Sequence, residues 1–316
     1  MKTESVKLKV RACKTPNING GQMETKRRLV RVSSHTKIRI DNYIKTAASV
    51  TRQEARAMIE RGLVSVNGVV QNKHHKSVKN GDDVEFDVLI KEKAEAPAYD
   101  APLEAVYKGE GFAAVNKPAG MITHPTKHRE TNTLLNAAVA AFKTKHIHII
   151  NRLDKDTSGI VLLALDRKTA SELSFLVKSR QVYKEYACVV HGVIKKPGKI
   201  EAEISGGGDG AKSRTAGLGG KEALSFYEPV SGNEKATLLK VVIKTGRTHQ
   251  IRAHMKYIGH PIAGDRVYGD AGKDKELFKN GSVPAGQMLH AAKMEFIFRD
   301  KRVVLLSELP SGFLTT

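Results

Sequence analysis

The sequence predicts an α+β protein with two folded parts, a small α/β module followed by a much larger domain. Three observations carry this. Segments of helical period and segments of period two are interspersed along the chain, without an internal repeat. A low-complexity stretch, "KEKAEAPAYDAP" near 91–102, separates two patterned regions and reads as a linker. The 316 residues, 40% of them hydrophobic, suffice for one large domain or two to three smaller ones, each with a core.

Residues 1–35 set Lys2, Lys7, Lys9, Arg11, Lys14, Lys26, Arg27, Arg28 and Arg31 against Glu4 and Glu24. Apolar periodicity is weak and "NINGG" interrupts it, so a flexible basic arm is expected. Residues 36–90 form the small module. "IDNYIKTAA" places Ile40, Tyr43, Ile44 and Ala47 on one helical face. "TRQEARAMIERG" opens with Thr51 and has Glu54 three residues later, a capping box. Ala55, Met58 and Ile59 face inward in that helix, Gly62 stops it, and Arg52, Arg56 and Arg61 remain for the outside. "VSVNGVVQN" has Asn67-Gly68 as a tight hairpin turn, and "DDVEFDV" alternates as a closing strand. A helix pair with arginines on one side suits contact with a nucleic-acid backbone. The segment, "ARAMIERGLVSVNG" above all, resembles the S-four-like RNA-binding module, and that resemblance implies RNA binding by the helix pair.

Beyond the linker, set at 91–104, lies a domain over 105–316. "AAVNKPAGMITHP" is a strand ending in a Pro-Ala-Gly turn, and "TNTLLNAAVAAF" is a helix. "HIHII" spaces His146 and His148 as a metal pair would, but no third ligand has convincing spacing, so ordinary strand positions are expected. "IINRLDKDTSGIVLLALD" sets Arg152 and Asp154 between two apolar runs, where a carboxylate is costly unless paired or used. Asp166 caps the next helix, with Ala170, Leu173 and Val177 inward. "VYKEYACVV" alternates with Lys184 and Tyr186 on the same face. "KTGRTHQIRAHMKYIG" runs strand, turn, helix. Thr248 is the expected cap of that helix, which puts Arg247 at its N-terminus, a favourable place for an anion. His249 and His254 are five apart and do not share a face as a zinc-protease pair would.

Composition narrows the function. Fifty-three Lys and Arg against 33 Asp and Glu give a formal charge of +20, which favours a polyanionic partner such as nucleic acid. Two distant cysteines, Cys13 and Cys188, make neither a disulfide framework nor a four-ligand zinc site, so a reducing, cytoplasmic setting is expected. No apolar run approaches the roughly 20 residues of a membrane span.

Four blocks, "VNKPAGMITHP", "NRLDKDTSGIVLLALD", "VYKEYACVVHG" and "KTGRTHQIRAHMKYIGHPIAGDRVYG", with "QMLHAAKMEF" after them, resemble the RluA-like branch of the pseudouridine synthases over roughly 105–300. The resemblance implies a mixed, largely antiparallel sheet flanked by helices and loops, and isomerisation of uridine in structured RNA. It implies Asp154 as the catalytic carboxylate, Tyr186 as the aromatic against the flipped base and Arg247 as the partner of Asp154. It further implies Arg152 at the flipped nucleotide and Asn151, Lys184, Thr157, His249 and Arg252 as RNA contacts, beside Arg52, Arg56 and Arg61 of the small module. Asn151 stands where the family usually has His. The target atoms are inaccessible in a stacked helix, so the base must be flipped. Asp154 must be ionised to act, and an arginine, which stays charged when desolvated, suits the place beside it. No redox step or group carrier is needed, so no cofactor and no metal are expected. Large-subunit ribosomal RNA is the first choice of partner and transfer RNA the second, with a monomeric protein acting on it. The alternative from another class is a catalytically silent RNA-binding or ribosome-assembly factor on the same fold.

Overall fold

A computed structural model of the chain describes residues 9–12, 25–32, 37–48, 50–89, 96–126, 130–206, 213–279, 284 and 286–313. The chain divides into two compact units, 1–94 and 95–316.

In the first unit, β1 (Lys9–Ala12) and β2 (Thr25–Arg31) precede β3 (Ile38–Arg39), α1 (Ile40–Ala47) and α2 (Arg52–Glu60). Then come β4 (Val64–Val66), β5 (Val69–Val70), β6 (Ser77–Val78) and β7 (Asp83–Leu89). One sheet has the order β1-β2-β7-β4-β5, and β3 pairs with β6. Thr51 caps α2 with a complete capping box, Glu54 answering through its carboxylate, which contributes about 1 kcal/mol. Asn67 and Gly68 both have positive φ (51° and 78°), as the two-residue turn between β4 and β5 requires. Ile40, Ile44, Ala55, Met58, Ile59, Val64, Val84 and Phe86 close the core.

The expected flexible arm over 1–35 is corrected here. β2 pairs with β7 from Thr25↔Leu89 to Arg31↔Asp83, and β1 pairs with β2. The reason is backbone satisfaction: β7 pairs with β4 on its other side, and β2 takes up the groups this edge would leave open. Val32 is buried in the same core, so the module begins before residue 36. The remainder of that stretch lies outside the described residues.

The second unit runs through β8 (Glu104–Gly109), β9 (Phe112–Lys117), α3 (Leu134–Phe142), β10 (His148–Ile149), β11 (Ser158–Ala164), α4 (Arg167–Lys178) and β12 (Tyr183–His191). It continues through β13 (Gly198–Glu201), β14 (Glu203–Gly206), β15 (Arg214–Gly217), β16 (Leu224–Gly232), β17 (Ala236–Ile243) and α5 (Gln250–Tyr257). It ends with α6 (Ala271–Leu277), β18 (Leu289–Phe298) and β19 (Lys301–Leu306). Ten strands form one sheet of order β13-β16-β17-β12-β18-β11-β9-β8, with β10 on β11 and β19 on β18. Every pairing is antiparallel except β11 with β18, so the sheet is mixed and largely antiparallel, as expected. β11 is buried along its whole length, hence its unbroken apolar run. Val161 and Leu163 pack into one core cluster, Ile160 and Leu162 into the other, on opposite faces of the strand. Asp166 caps α4 by accepting from the Thr169 N–H.

The expected linker is partly held. Asn136 on α3 donates to the Pro97 carbonyl, and the Tyr99 N–H donates back to the Asn136 carbonyl. Among the described residues no helix is long and apolar enough to cross a membrane. None of their His, Cys, Asp and Glu side chains gather in threes as a metal site, His146 and His148 included.

Candidate active site

Asp154 stands on the loop from β10 to β11, and backbone contacts pin that loop. Thr123 Oγ1 donates to the Leu153 carbonyl at 2.8 Å, and the Thr157 N–H donates to the Asp154 carbonyl at 3.2 Å. Lys117, fully buried, donates from Nζ to the carbonyls of Pro118, Met121 and Lys155 at 2.8–2.9 Å. Burial lowers its pKa to about 8, with Asp156 and Asp154 working the other way. Gly159 has φ +107°, and a Cβ there would collide with the Ala291 backbone. Only glycine lets β11 come this close to β18, and that approach fixes the loop that precedes it.

The second wall comes from the turn between β17 and α5. Gln250 is buried and satisfies four neighbours. Its Oε1 accepts from Thr245 Oγ1 (2.7 Å) and the Arg247 N–H (3.1 Å), and its Nε2 donates to the Leu224 carbonyl and Ser225 Oγ (both 3.1 Å). His249 precedes the helix in the left-handed conformation (φ 58°). The expected cap at Thr248 is therefore corrected, because α5 starts at Gln250.

That start decides which arginine meets Asp154. Arg252 Nη1 donates to Asp154 Oδ2 at 2.9 Å, while its Nε and Nη2 grip Asp265 at 2.7 and 2.9 Å. The expected pairing of Arg247 with Asp154 is corrected: Arg247 Nε donates to the Glu222 carbonyl at 3.0 Å. The same geometry removes Arg252 from the RNA contacts, since its side chain is 7% exposed and its donors serve two carboxylates. Burial works against the charge of Arg252, but Asp265 and Asp154 outweigh it and raise its pKa. Burial likewise pushes Asp265 up, yet Arg252 and the N–H groups of Tyr268 and Val267 bring it below the usual carboxylate range.

Asp154 opens into a cavity of about 650 Å³. Tyr186, Lys184, Arg152, Asn151, Arg247 and His249 line it too. Tyr186 is buried, and burial followed by the charge of Asp154 raises its pKa, so its hydroxyl keeps its proton and serves stacking and donation better than proton removal. Burial lowers the pKa of Lys184. Arg152 is exposed at the rim, held by no hydrogen bond or ion pair among the described residues. Two expected RNA contacts already have protein partners. Asn151 spends its amide on β11, donating to the Ile160 carbonyl and accepting the Leu162 N–H. Thr157 is buried and accepts from Gln287 Nε2 at 3.0 Å. Of the groups that hold the site, Lys117, Gln250, Asp265 and Gln287 escaped the sequence reading. Their motif blocks were visible, but a buried role for a polar residue leaves no local signal.

In the first unit, taken by itself, Arg52 and Arg56 donate to Asp41 Oδ2 at 3.0 and 3.2 Å, and Arg39 grips both its oxygens at 3.1 Å. The Asp41 carboxylate is fully buried while the three arginines stay 40–45% exposed. Burial pushes Asp41 up, but the three arginines outweigh it and bring its carboxyl to about 2. Arg61 follows α2 and is exposed.

Comparisons with known proteins identify the family and the fold. Residues 111–257 match the RNA pseudouridylate synthase family and residues 38–84 match the S4 domain. An uncharacterized RNA pseudouridine synthase of Mycoplasma pneumoniae is 33% identical over 82% of this chain and 84% of its own. Ribosomal large subunit pseudouridine synthase D of Xylella fastidiosa is 32% identical over 78% of this chain and 77% of its own. Among solved structures, human RNA pseudouridylate synthase domain containing 1 superposes with a TM-score of 0.57 at 24% identity, covering 67% of this chain and 85% of that one.

Proposed function

The chain belongs to the RNA pseudouridine synthase family, and on that premise we propose that it converts uridine to pseudouridine in large-subunit ribosomal RNA with Asp154 as the reacting carboxylate. The observation that carries this is the ion pair at the cavity floor. Asp154 is one-quarter exposed, faces the cavity, and meets Arg252 through Oδ2 alone. The reaction breaks the bond from ribose C1′ to uracil N1 and joins C1′ to C5, while the C5 proton leaves and N1 gains one. The reacting base must first leave its stack, at a cost of a few kcal/mol. Arg152 at the rim and the arginines around Asp41 suit phosphates, which supply most of the affinity. Tyr186 packs against the flipped ring. Arg247 and Lys184 line the same cavity and can face the nucleotide there.

Ribosomal RNA is supported by the relatives whose names specify the large ribosomal subunit and by the charge of +20. Transfer RNA is the second choice. The protein acts as a cytoplasmic monomer, and sedimentation of the purified chain checks the oligomeric part. The deciding experiment maps pseudouridines in total RNA from cells with and without the gene. One or more large-subunit sites should vanish. A vanished transfer-RNA site would move the substrate, and an unchanged map with RNA binding retained would support the silent RNA-binding alternative.

A further inference from the structure

The block "GDRVYG" (264–269) supplies no group to the reaction described above, yet two of its residues hold the two side chains, Arg252 and His249, that approach Asp154 Oδ2. Asp265 grips Arg252. Tyr268 Oη lies 3.0 Å from His249 Nδ1, and the Tyr268 N–H donates to Asp265 Oδ1 at 3.0 Å. His249 Nε2 lies 3.7 Å from Asp154 Oδ2, the same oxygen that Arg252 Nη1 reaches at 2.9 Å. The contacts close into a ring: Asp154, Arg252, Asp265, Tyr268, His249 and Asp154 again. No donor among the described residues bonds Asp154 Oδ1.

The ring places a proton. Tyr268 is 3% exposed, and its oxygen accepts the Arg214 N–H. A buried hydroxyl must also donate, and the acceptor in reach is His249 Nδ1. A ring nitrogen that accepts carries no hydrogen, so the neutral imidazole bears its proton on Nε2, toward Asp154. Burial, followed by the charges of Arg252 and Arg214, lowers the His249 pKa, with Asp154 and Asp265 acting the other way. The uncharged form therefore prevails at neutral pH. His249 is also held in a left-handed conformation that few L-residues adopt, a type of strain found where a side chain must be aimed.

We propose that His249 is a positioning residue for Asp154: set in its Nε2–H tautomer by Tyr268, it shares the Oδ2 side of the carboxylate with Arg252 and leaves Oδ1 to the nucleotide. At 3.7 Å the contact is not yet a hydrogen bond, and it shortens when a nucleotide fills the cavity. The inference rests on Asp154 being the reacting carboxylate, and its test has an arm that needs no substrate.

Tyr268→Phe keeps the ring that lies 5.0 Å from the Arg252 guanidinium and removes only the hydroxyl. His249→Asn keeps a residue tolerant of the left-handed backbone and removes the imidazole. In the first arm, nitrogen-15 spectra of the histidine-labelled free protein are recorded at pH 7.5, with the signal of residue 249 assigned by its disappearance in His249→Asn. Wild type should carry the hydrogen on Nε2, and Tyr268→Phe should show mixed tautomers. In the second arm, tritium release is followed from carbon-5-tritiated total RNA prepared from cells lacking the protein. Each variant should lower kcat about tenfold with KM within about twofold, and the double variant should be no slower than His249→Asn alone. A hydrogen on Nδ1 in wild type, unchanged kcat, or losses that multiply would overturn the proposal. If wild type itself releases no tritium, the proposed function fails instead, and the spectra still decide the tautomer. If His249→Asn does not fold, an unfolded chain also loses the dispersed signal of residue 249, and Tyr268→Phe alone carries both arms.

Discussion

In the N-terminal unit one carboxylate, Asp41, gathers three arginines; in the larger unit one arginine, Arg252, gathers two carboxylates. The members are alike and the stoichiometry is inverted. Around Asp41 the buried group is the anion, and the half-exposed cations outnumber it, so positive charge is left on the outside with its forks pre-aimed. Around Arg252 the buried group is the cation, and the anions outnumber it, so negative charge is left toward a cavity. Desolvating an ion is costly in both places, and pairing offsets it in both. What differs is the partner that stays accessible. Three arginines stay accessible in one unit and Asp154 in the other; under the proposed function the first meet phosphates and the second reacts.

The largest effect should come from Asp154→Asn. It keeps the shape of the cluster and removes the reacting charge. We expect turnover to fall by about three orders of magnitude or more, while RNA affinity stays within about twofold because phosphates supply it. Tritium release beside a binding titration measures both, and retained turnover would end the assignment of the two clusters to different tasks.

Next in size is Arg252→Ala against Arg247→Ala. Removing Arg252 leaves the fully buried Asp265 without its ion-pair partner, at about 3–5 kcal/mol, which lowers the melting temperature by about 10 °C or more. Removing Arg247 costs one hydrogen bond to a backbone carbonyl, about 1 kcal/mol or less. Equal melting shifts in the two variants would contradict the pairing described here.

Asp41→Asn probes the other cluster. Folding brings the Asp41 carboxyl from its ordinary 3.8 to about 2. Its pairing therefore stabilises the folded unit fully above pH 3.8, and this contribution fades as pH falls through about 2. In wild type, protection of the α1 and α2 amides against hydrogen exchange should drop over that window. In Asp41→Asn it should be weaker at pH 5 and lack this acid-dependent step. An identical acid profile in both proteins would mean the arginines do not depend on Asp41.

The smallest effects belong to Arg52→Ala and Arg56→Ala taken singly. Each should weaken RNA binding modestly and reduce the slope of log affinity against log salt by about 0.7–0.9 per lost phosphate contact, with turnover at saturating RNA unchanged. A salt titration reads this directly. A fall in turnover without a change in slope would tie these arginines to the chemistry rather than to the backbone.

The amino-acid sequence alone determined the short-range features. The capping box at Thr51 and Glu54, the Asn67-Gly68 turn, the Asp166 cap and the apolar run of β11 each depend on residues a few positions apart, so local pattern suffices to read them. The motif blocks resemble the family, and that resemblance pointed to Asp154 and Tyr186. Which arginine pairs with Asp154 was decided only in three dimensions. Arg247 and Arg252 lie on one segment, but Arg247 sits in the turn before α5 and Arg252 on the helix itself, so their side chains reach different partners. Asp154 stands 98 residues from Arg252 in sequence. The basic N-terminal stretch followed the same logic: its weak pattern suggested an arm, but the open edge of β7 took it up as β2. Buried polar groups such as Lys117, Gln250 and Tyr268 each take at least one partner distant in the chain, and a hydrogen bond between distant residues has no period for a sequence to display.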